Sequence, residues 1–409
     1  MVSGPTSSVP PVEWEDRVWR WEEHGPRPAN RADRLFRDFR SAVPTRLADV
    51  DLRLDAPTVR AVEDAVAAIA RLDAVATFDL TALGGALLRS ESVASSKIEH
   101  LAASHRDVAR ILIGAAPDRG VAGLVARNVE AMGYAVAEAA RAPELSVGLL
   151  LEVHQRLLAH DEHDREWIGR VREHQNWLGG SDDTPRGALF VPPRPQLVTE
   201  LLDDLVRFAN RDDLPAIPLA AIAHAQFETI HPFVDGNGRT GRALVHVLLR
   251  RRSAPGAAVV PVSTALLADT DGYFDGLGDY REGRLDGWVT RFARATTLAA
   301  DRGAALADDL HHLRSEWQDE VRPRAGSAPE RLLDALVQQP VVDIDAARKV
   351  APDTTDANLY KAVERLEAAG VLQQLGEGAR NRVWTVPAVL SLLEEFERSV
   401  GRRRPSAAL

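Results

Sequence analysis

Residues 231–242 read His231-Pro232-Phe233-Val234-Asp235-Gly236-Asn237-Gly238-Arg239-Thr240-Gly241-Arg242. Apolar residues at helical spacing lead up to this stretch from Ile217 and continue beyond it to Leu249, so the stretch is predicted to join two helices. The second helix is expected to begin near Arg239, directly after two glycines that flank an asparagine. The first N–H groups of a helix have no acceptor within the helix and lie at the positive end of its dipole, so an anion is expected to bind there.

The side chains of the same stretch suit the chemistry of a metal-bound triphosphate. The imidazole of His231 can accept a proton near neutral pH, and the carboxylate of Asp235 can hold Mg²⁺ between two phosphates. Arg239 and Arg242 are three residues apart, which places both guanidinium groups on one face of a helix. The pattern therefore predicts a site in which a protein hydroxyl loses its proton to His231 and attacks phosphorus.

At every specified position the stretch matches H-x-F-x-[D/E]-G-N-G-R-x-x-R, and it therefore resembles the signature of the Fic family. The resemblance implies a Mg²⁺-dependent protein adenylyltransferase, which transfers AMP from ATP to a Ser, Thr or Tyr hydroxyl of a target protein or of itself. It implies His231 as the base, Asp235 as the Mg²⁺ ligand, Gly236, Asn237 and Gly238 around the α-phosphate, and Arg239 and Arg242 on the outer phosphates. Gly238 also favours nucleotidyl transfer, because the related Doc-type toxins that phosphorylate carry lysine at this place.

A short β-prone run follows the turn-rich segment 179–187. It consists of Ala188, Leu189, Phe190 and Val191, and it predicts one side of a small β-hairpin. The surrounding residues, 172–193, resemble the Fic region that leads through a hairpin flap. The resemblance implies that this flap aligns the target chain by strand addition, which needs only backbone hydrogen bonds.

Upstream of the signature, Ser95-Ser96-Lys97-Ile98-Glu99-His100 resembles the inhibitory motif [S/T]-x-x-x-E-[G/N] of many Fic proteins. Ser95 and Glu99 match the motif, whereas His100 departs from its Gly or Asn. The resemblance implies that Glu99 pairs with Arg242, so that the carboxylate occupies the guanidinium that the γ-phosphate would use. ATP would then bind in an unproductive orientation, and the enzyme would be autoinhibited.

The chain is predicted to be mostly α, with a Fic-type helical core, a small β-hairpin flap and a C-terminal winged helix-turn-helix. The winged helix is predicted from three helical segments after residue 329 that are followed by two β-prone runs around Gly376-Glu377-Gly378. Trp14, Val18 and Trp21 near the N-terminus fall on a helix-like stripe. The expected domains are an N-terminal arm (1–41), a helical region with the inhibitory motif (42–140), the catalytic core (141–300), a helix end and linker (301–328), the winged helix (329–400) and a basic tail (401–409).

Composition limits the remaining possibilities. The chain has 409 residues, no cysteine and a formal net charge of −10, which excludes disulfides and thiolate sites and opposes a chain-wide affinity for nucleic acid. No apolar run reaches the roughly 18 residues that a membrane span needs, so a cytoplasmic protein is expected. Residues 330–400 are more acidic than basic, which favours protein docking or homodimer formation over DNA binding by the winged helix.

Two further functions fit the same residues. The site could remove AMP from a modified protein, since the carboxylate of Glu99 can orient a water molecule. Alternatively, the chain could be an ATP-sensing transcription regulator, in which residues 231–242 only bind nucleotide and the winged helix reads DNA through residues such as Arg365. Proteins pre-modified with AMP would separate the first alternative from adenylyl transfer, and DNA binding would separate the second.

Overall fold

Helices make up most of the structure. The computed structural model describes residues 9–20, 28–76, 80–159, 165–252, 259–376 and 381–401, and it confirms the predicted mostly α class. Within these ranges no helix is both long and apolar enough to cross a membrane. The elements in chain order are β1 (Glu13–Val18), α1 (Arg31–Leu35), β2 (Asp38–Val43), α2 (Ala56–Ala76), α3 (Leu80–Ile98), α4 (His105–Leu112), α5 (Gly120–Ala139), α6 (Val147–Leu157), α7 (Pro195–Ala209), α8 (Ala216–Ile230), α9 (Asn237–Arg251), α10 (Val262–Leu267), α11 (Thr270–Arg281), α12 (Leu285–Val321), α13 (Ala328–Gln338), β3 (Val341–Asp343), α14 (Ile344–Val350), α15 (Asp356–Ala368), β4 (Gln373–Gln374), β5 (Val383–Thr385) and α16 (Pro387–Gly401).

The chain forms two compact units, each assembled from separate segments. The first unit contains residues up to 63, 134–251 and 271–293. The second unit contains residues 64–133, 252–270 and 294 onwards. The predicted winged-helix segment thus belongs to the same unit as the predicted inhibitory motif.

The first unit is built around α8, in which the residues from Ile217 to Ile230 are all buried. A helix that is apolar on all sides belongs inside a core, and a polar side chain on it needs an internal partner. Gln226, for example, donates to the carbonyl of Thr45 (2.8 Å). Helix α9 packs against α8 at Gly241, where a Cβ atom would lie 2.6 Å from Oε1 of Glu228. Helices α8 and α9 therefore approach each other so closely at this point that only a residue without a side chain fits between them.

The N-terminal segment forms a strand, and the predicted helix-like stripe is wrong. β1 pairs antiparallel with β2, with Trp14 opposite Ala42 and Val18 opposite Asp38. Trp14 and Val18 are four residues apart, a spacing that places two side chains on one face of a helix and equally on one face of a strand. Pairing with β2 decides between the two. The third member of the predicted stripe, Trp21, lies outside the described residues.

Helix α3 packs against α10, α13 and α16 in the second unit. Glu91, buried on α3, accepts hydrogen bonds from the backbone N–H (2.7 Å) and from the hydroxyl of Ser263 in the first turn of α10. Arg89 donates to the carbonyl of Gln338 at the end of α13 (2.7 Å). The segment predicted as a winged helix therefore packs directly on the helix in which the predicted inhibitory motif begins.

The C-terminal segment contains one strand more than predicted. Helices α13, α14 and α15 precede β4 and β5, and β3 joins these two strands in a three-stranded antiparallel sheet of order β3-β5-β4. A strand of three residues directly after Pro340 is too short for its alternation to be recognised. Residues 377–380 of the predicted wing turn, and the predicted basic tail beyond Gly401, lie outside the described residues.

Glu397 on α16 joins three helices of the second unit. Its carboxylate accepts from Nζ of Lys97 at the end of α3 (2.6 Å) and lies 3.0 Å from Nε2 of His105 at the start of α4. Burial alone would raise the pKa of Glu397, but the hydrogen bonds and charges of His105 and Lys97 outweigh burial and lower this pKa. The cluster ties α16 to the helix end that precedes Glu99.

His154 on α6 supports the loop between α8 and α9. The residue is buried. Its Nδ1 accepts from the backbone N–H of Gly169 (3.0 Å), so Nε2 carries the proton and donates to the carbonyl of Asp235 (3.0 Å). The ring stacks on Phe233 with centroids 3.8 Å apart. Burial lowers the pKa of His154 to about 4, so the ring holds the loop in its neutral form.

The neutral state of His154 predicts a loss of stability in mild acid. The pKa of histidine in an unfolded chain is about 6.5, whereas the pKa of the buried ring is about 4. Stability from this group is therefore complete above about pH 6.5 and is lost as the pH falls toward 4, because the unfolded chain binds the proton first. The loss is about 3 kcal/mol, to be measured as the free energy of unfolding from urea titrations across this range.

Two variants isolate the contribution of His154. His154→Gln removes the titration and should show a shallower decline in stability over the same pH range. His312→Gln, at an exposed position of α12, should follow the wild-type profile. Equal pH slopes for the wild type and His154→Gln would contradict the neutral assignment.

Removal of the Glu397 carboxylate should destabilise the protein. Glu397→Ala leaves Lys97 and the buried His105 without their shared acceptor, which costs about 1–3 kcal/mol. The measurement is the free energy of unfolding at neutral pH. Glu395→Ala changes an exposed carboxylate on the same helix and should alter this free energy by less than about 0.5 kcal/mol. If Glu397→Ala had the same free energy of unfolding as this control, the cluster would not contribute to the stability of the protein.

Candidate active site

His231 ends α8 in a left-handed backbone conformation. Its φ and ψ are 50° and 63°, and its N–H still donates to the carbonyl of Phe227 (2.8 Å). A residue with a side chain costs about 1 kcal/mol or more in this region, and Pro232 opposes a continued helix because it disfavours the α region for the residue before it. The imidazole thus lies just beyond the helix end, with 13% of its surface exposed.

Arg172, which is buried, binds the carbonyl groups at the end of α8. Its side chain donates to the carbonyls of His231 (Nε, 2.8 Å), Ile230 (Nη2, 3.4 Å), Pro193 (Nη2, 2.5 Å) and His174 (Nη1, 3.0 Å), and its backbone N–H donates to that of Pro232 (2.9 Å). The last carbonyls of a helix have no partner within it and form the negative end of the dipole, so a guanidinium suits them in both respects. Burial lowers the pKa of Arg172 to about 9.

The loop between α8 and α9 closes on the backbone of Phe233. Asn237 accepts from the N–H of Phe233 (2.8 Å) and donates to its carbonyl (2.8 Å), and Asn176 donates to the same carbonyl (3.0 Å). The side-chain amide of Asn237 therefore holds the loop, and its contribution to anion binding would come from its backbone N–H in the first turn of α9. Gly236 has a φ of 73°, and a Cβ atom there would lie 3.2 Å from the side chain of Leu157, so the loop requires glycine.

The charged side chains of the signature are partly buried and partly open. Arg239 and Arg242 are buried on α9, and the less buried Gly238 precedes them. Nη2 of Arg239 lies 3.3 Å from Oδ2 of Asp235, whose side chain is 56% exposed. Among the described residues no three acidic or histidine side chains are grouped to hold a metal ion. A metal here would therefore take Asp235 and oxygen atoms from a substrate, which is the usual arrangement for Mg²⁺ at a nucleotide.

Glu228 is a carboxylate on α8 one turn before His231. Its Oε2 lies 3.9 Å from Nδ1 of His231, beyond hydrogen-bond distance but close enough for an interaction through charge. Arg281 reaches the same turn, where it donates to the carbonyl of Glu228 and to the hydroxyl of Thr229 (both 3.4 Å). Burial lowers the pKa of Arg281 to about 10. The last turn of α8 is therefore fixed by charged groups as well as by packing.

The predicted hairpin flap is reduced to a single bridge. Leu178 and Phe190 form an isolated antiparallel bridge, in which Leu178 N–H donates to the carbonyl of Phe190 (2.9 Å). No regular strand extends it in the described part of the chain. Gly179 and Gly180, with φ of 70° and 81°, turn the chain immediately after the bridge. The β-prone composition of residues 188–191 is therefore outweighed by the turn beside it.

The segment after the bridge is anchored on two sides. Phe190 and Val191 are buried, Ala188 is half-buried, and Leu189 is 89% exposed. The guanidinium of Arg281 lies 3.8 Å from the ring centroid of Phe190, and the carbonyl of Val191 accepts from an N–H of β2 (2.9 Å). Leu189 is thus an exposed apolar side chain next to two residues that are buried and held in place.

Ser95 and Glu99 belong to the second unit. Ser95 is buried on α3, and Glu99 is exposed directly after the helix end. His100 has a φ of 60°. The N–H groups of His100 and Leu101 donate to the carbonyls of Lys97 (3.0 Å) and Ser96 (2.9 Å), respectively. These are the two bonds of a Schellman motif, in which Gly or Asn is favoured at the left-handed position. His100 thus adopts the left-handed conformation that favours the Gly or Asn found at this place of the motif, and the pairing of Glu99 with Arg242 stays a prediction.

Helix α15, the predicted recognition helix, uses Arg365 to cap another helix. Nη2 of Arg365 donates to the carbonyls of Val321 and Arg322 (3.1 Å for the latter) at the end of α12. Asn358 and Lys361 line a cavity together with Arg365 and residues 326–329 at the start of α13. An arginine engaged with backbone carbonyls is less available to a DNA base or phosphate.

The sequence analysis does not assign four residues that the structure places around the loop. These are His154, Arg172, Asn176 and Glu228. Glu228 could have been found, because a spacing of three residues on a helix predicts proximity to His231. Arg172 could not, because it reaches a carbonyl 59 residues further along the chain.

Comparison with known proteins identifies this region. Residues 144–249 match the model of the Fic/DOC family. The chain is 34% identical over 141 residues to the protein adenylyltransferase fic-1 of Caenorhabditis elegans, a match that covers 34% of this chain and 25% of that protein. It is 30% identical over 185 residues to the protein adenylyltransferase Fic of Drosophila ananassae, covering 44% of this chain and 34% of that protein. The chain thus spans about a quarter to a third of the length of these curated relatives.

A solved structure shares the fold. The crystal structure of a Fic family protein from Desulfovibrio desulfuricans G20 superposes with a TM-score of 0.52 and 19% sequence identity, covering 82% of this chain and 97% of that one. The matched range includes α8, the whole of residues 231–242 and all but the last two residues of α9. Residues 144–249 of this chain are therefore a domain of the Fic/DOC family.

Proposed function

We propose that the chain is a protein adenylyltransferase, which transfers AMP from ATP to a Ser, Thr or Tyr hydroxyl of a target protein. The observation that carries the proposal is the junction of α8 and α9. There, a partly exposed imidazole lies six residues before the N-terminus of a helix that bears two buried arginines. The printed names of the C. elegans and Drosophila relatives support the same activity.

ATP would bind with its phosphates at the N-terminus of α9. The backbone N–H groups of Gly236, Asn237 and Gly238 suit the α-phosphate, because first-turn amides and the helix dipole favour an anion. Arg239 and Arg242 would hold the outer phosphates through charge-assisted hydrogen bonds. Their burial makes these interactions stronger than they would be in water.

His231 would act as the general base. The imidazole accepts the proton of the target hydroxyl, and the hydroxyl oxygen forms a bond to the α-phosphorus of ATP. The bond between that phosphorus and the oxygen bridging to the β-phosphate breaks, and pyrophosphate leaves. The products are the AMP ester of the target protein and a protonated imidazole, which returns its proton to solvent.

Asp235 would be the protein ligand of Mg²⁺. Its exposed carboxylate stands at the rim of the loop, and a single carboxylate combined with substrate phosphates is a common way for proteins to hold this ion. When bound, Mg²⁺ would neutralise phosphate charge. Asp235 itself orients Arg239, which lies 3.3 Å away.

The target protein would dock at the bridge between Leu178 and Phe190. The flap residues Ala188, Leu189, Phe190 and Val191 would align an extended target segment by backbone hydrogen bonds. Leu189 offers an exposed apolar contact for one of its side chains. Self-modification of the chain would use the same surface.

Autoinhibition would depend on Ser95 and Glu99. The Schellman motif at His100 fixes the backbone from which the Glu99 side chain extends. A carboxylate paired with Arg242 would exclude the γ-phosphate from that guanidinium. The C-terminal segment would serve as a module for protein docking or homodimer formation, because Arg365 is engaged with α12.

The first test of adenylyl transfer is incorporation of label from [α-³²P]ATP with Mg²⁺. Wild-type protein should label itself weakly, and His231→Ala should lower the rate about 100-fold or more, since a general base contributes on that order. His312→Ala, a change at an exposed histidine of α12, should leave the rate unchanged. Labelling of His231→Ala at the wild-type rate would refute the role of the imidazole.

A second test addresses autoinhibition. Glu99→Gly should raise the labelling rate about tenfold or more, because a charge-assisted pair of about 1.5–3 kcal/mol no longer competes with ATP. His100→Gly changes the neighbouring residue of the same turn, keeps the carboxylate and relieves the left-handed strain, so it should label at the wild-type rate. Equal rates for Glu99→Gly and the wild type would contradict the inhibitory role.

A further inference from the structure

We propose that Arg172 is a positioning residue for the transfer reaction, which fixes the imidazole of His231 relative to both ends of the flap. The inference rests on the proposed adenylyl transfer and adds to it a residue outside the signature. Arg172 lies before the flap in the chain and far from His231 in sequence. None of the described hydrogen bonds of its side chain goes to α9, where the phosphates would bind, or to the exposed part of the site.

The first step concerns the backbone of His231. The left-handed conformation at this residue is unfavourable by about 1 kcal/mol or more, so it persists only if its surroundings hold it. Arg172 accounts for this hold: its Nε donates to the carbonyl of His231 itself (2.8 Å), and its backbone N–H donates to that of Pro232 (2.9 Å). Arg172 therefore binds both of the first two carbonyls on the C-terminal side of the imidazole.

The second step concerns the flap. The same guanidinium donates to the carbonyls of His174 (3.0 Å) and Pro193 (2.5 Å). These two residues lie on either side of the bridge between Leu178 and Phe190. One rigid planar group thus joins the segment entering the flap, the segment leaving it and the peptide of the general base.

The third step concerns the choice of side chain. All the described partners of the Arg172 side chain are carbonyl oxygens, and none is a carboxylate. A buried cation without a counter-ion is a costly way to fill space, and an apolar side chain would serve that purpose better. What arginine supplies here is geometry, because its fork directs several N–H groups to separate acceptors at fixed angles. Lysine, with one compact ammonium group, cannot do the same.

These contacts bear directly on the reaction. The flap would hold the target chain, and His231 would take the proton from its hydroxyl, so the distance between flap and imidazole decides whether the hydroxyl reaches both the base and the α-phosphorus. Misplacement by about 1 Å lowers a rate on the order of 100-fold. ATP itself would bind to α9, which Arg172 does not contact in the described hydrogen bonds. Loss of the guanidinium should therefore affect transfer and spare nucleotide binding.

The test compares full-length Arg172→Lys and Arg172→Gln with the wild type and with Arg170→Lys, a change at an exposed arginine two residues earlier. We expect both Arg172 variants to transfer AMP from [α-³²P]ATP about 10–100-fold more slowly. Their affinity for ATP with Mg²⁺, measured by isothermal titration calorimetry, should stay within about twofold of the wild type. Arg170→Lys should match the wild type in both measurements.

Two outcomes would overturn the inference. One is a wild-type transfer rate in Arg172→Lys. The other is a loss of ATP affinity as large as the loss of rate, which would mean that the variant only loosens the whole loop. Should the Arg172 variants not fold, Asn176→Ala probes the same peptide, because Asn176 donates to the carbonyls of His231 (3.5 Å) and Phe233 (3.0 Å). It should show the same split between rate and affinity, and a wild-type rate in it would count against the inference.

Failure of the underlying function looks different. If neither the wild type nor Glu99→Gly transfers AMP, adenylyl transfer is what fails. If these proteins transfer AMP and Arg172→Lys does so equally well, the positioning role fails while the function stands.

Discussion

The structure of the site depends on one short stretch of backbone in which α8 must end and α9 must begin. Between Ile230 and Asn237, nearly every carbonyl is bound by the protein itself. The carbonyls accept from donors of Arg172, Asn176, Asn237, His154 and the first turn of α9. Because these acceptors are satisfied from inside, the polar groups that remain for a ligand are the N–H groups at the start of α9. The backbone of the loop therefore offers donors that suit an anion, before any side chain is considered.

The charges around this loop reinforce the selectivity. Arg172, Arg239, Arg242 and Arg281 all belong to the first unit, and the first three are buried. Burial disfavours their charged forms, as the lowered pKa values of Arg172 and Arg281 show, at about 9 and about 10. A polyanion bound at α9, as proposed, would offset part of this unfavourable term, since it would supply negative charge where water has been removed. A triphosphate bound as proposed would therefore stabilise this site more than it would stabilise a solvated cluster of arginines.

The sequence was sufficient for some parts of the site and insufficient for others. Residues 231–242 predict a loop between two helices, and the structure has this arrangement with boundaries at Ile230 and Asn237. The signal is strong because glycine, proline and a fully apolar helix each constrain the backbone locally. Asn237 shows the limit: its amide closes the loop on Phe233, and nothing in its local pattern distinguishes that contact from one to a phosphate. Arg172 shows it too, because its partners lie on three separate segments.

The same limit explains where the structure differs from the predictions in the rest of the chain. Trp14 and Val18 fit a helix and a strand equally, and the outcome depends on their partners in β2, Ala42 and Asp38, which lie 28 and 20 residues further along. Residues 188–191 have β-prone composition, yet Gly179 and Gly180 leave room for only one bridge. In both cases the deciding contact is non-local, whereas propensity describes only neighbours along the chain. Strand β3 of the C-terminal sheet was not predicted for a related reason, because three residues are too few to show an alternation of apolar and polar side chains.

The end of α3 is held by hydrogen bonds and charge from two sides. Asn128 donates to the carbonyl of Ser92 (2.9 Å) and to the hydroxyl of Ser96 (3.1 Å), which fixes the last turns of the helix from the side of α5. Lys97 is fixed from the other side by Glu397 (2.6 Å). The position of Glu99 is therefore set by α5 and by α16 together, and α16 is the last element in the described part of the chain. A partner that displaced α16 would remove one of the two supports of this helix end, so the C-terminal segment is mechanically connected to the residue on which autoinhibition would depend.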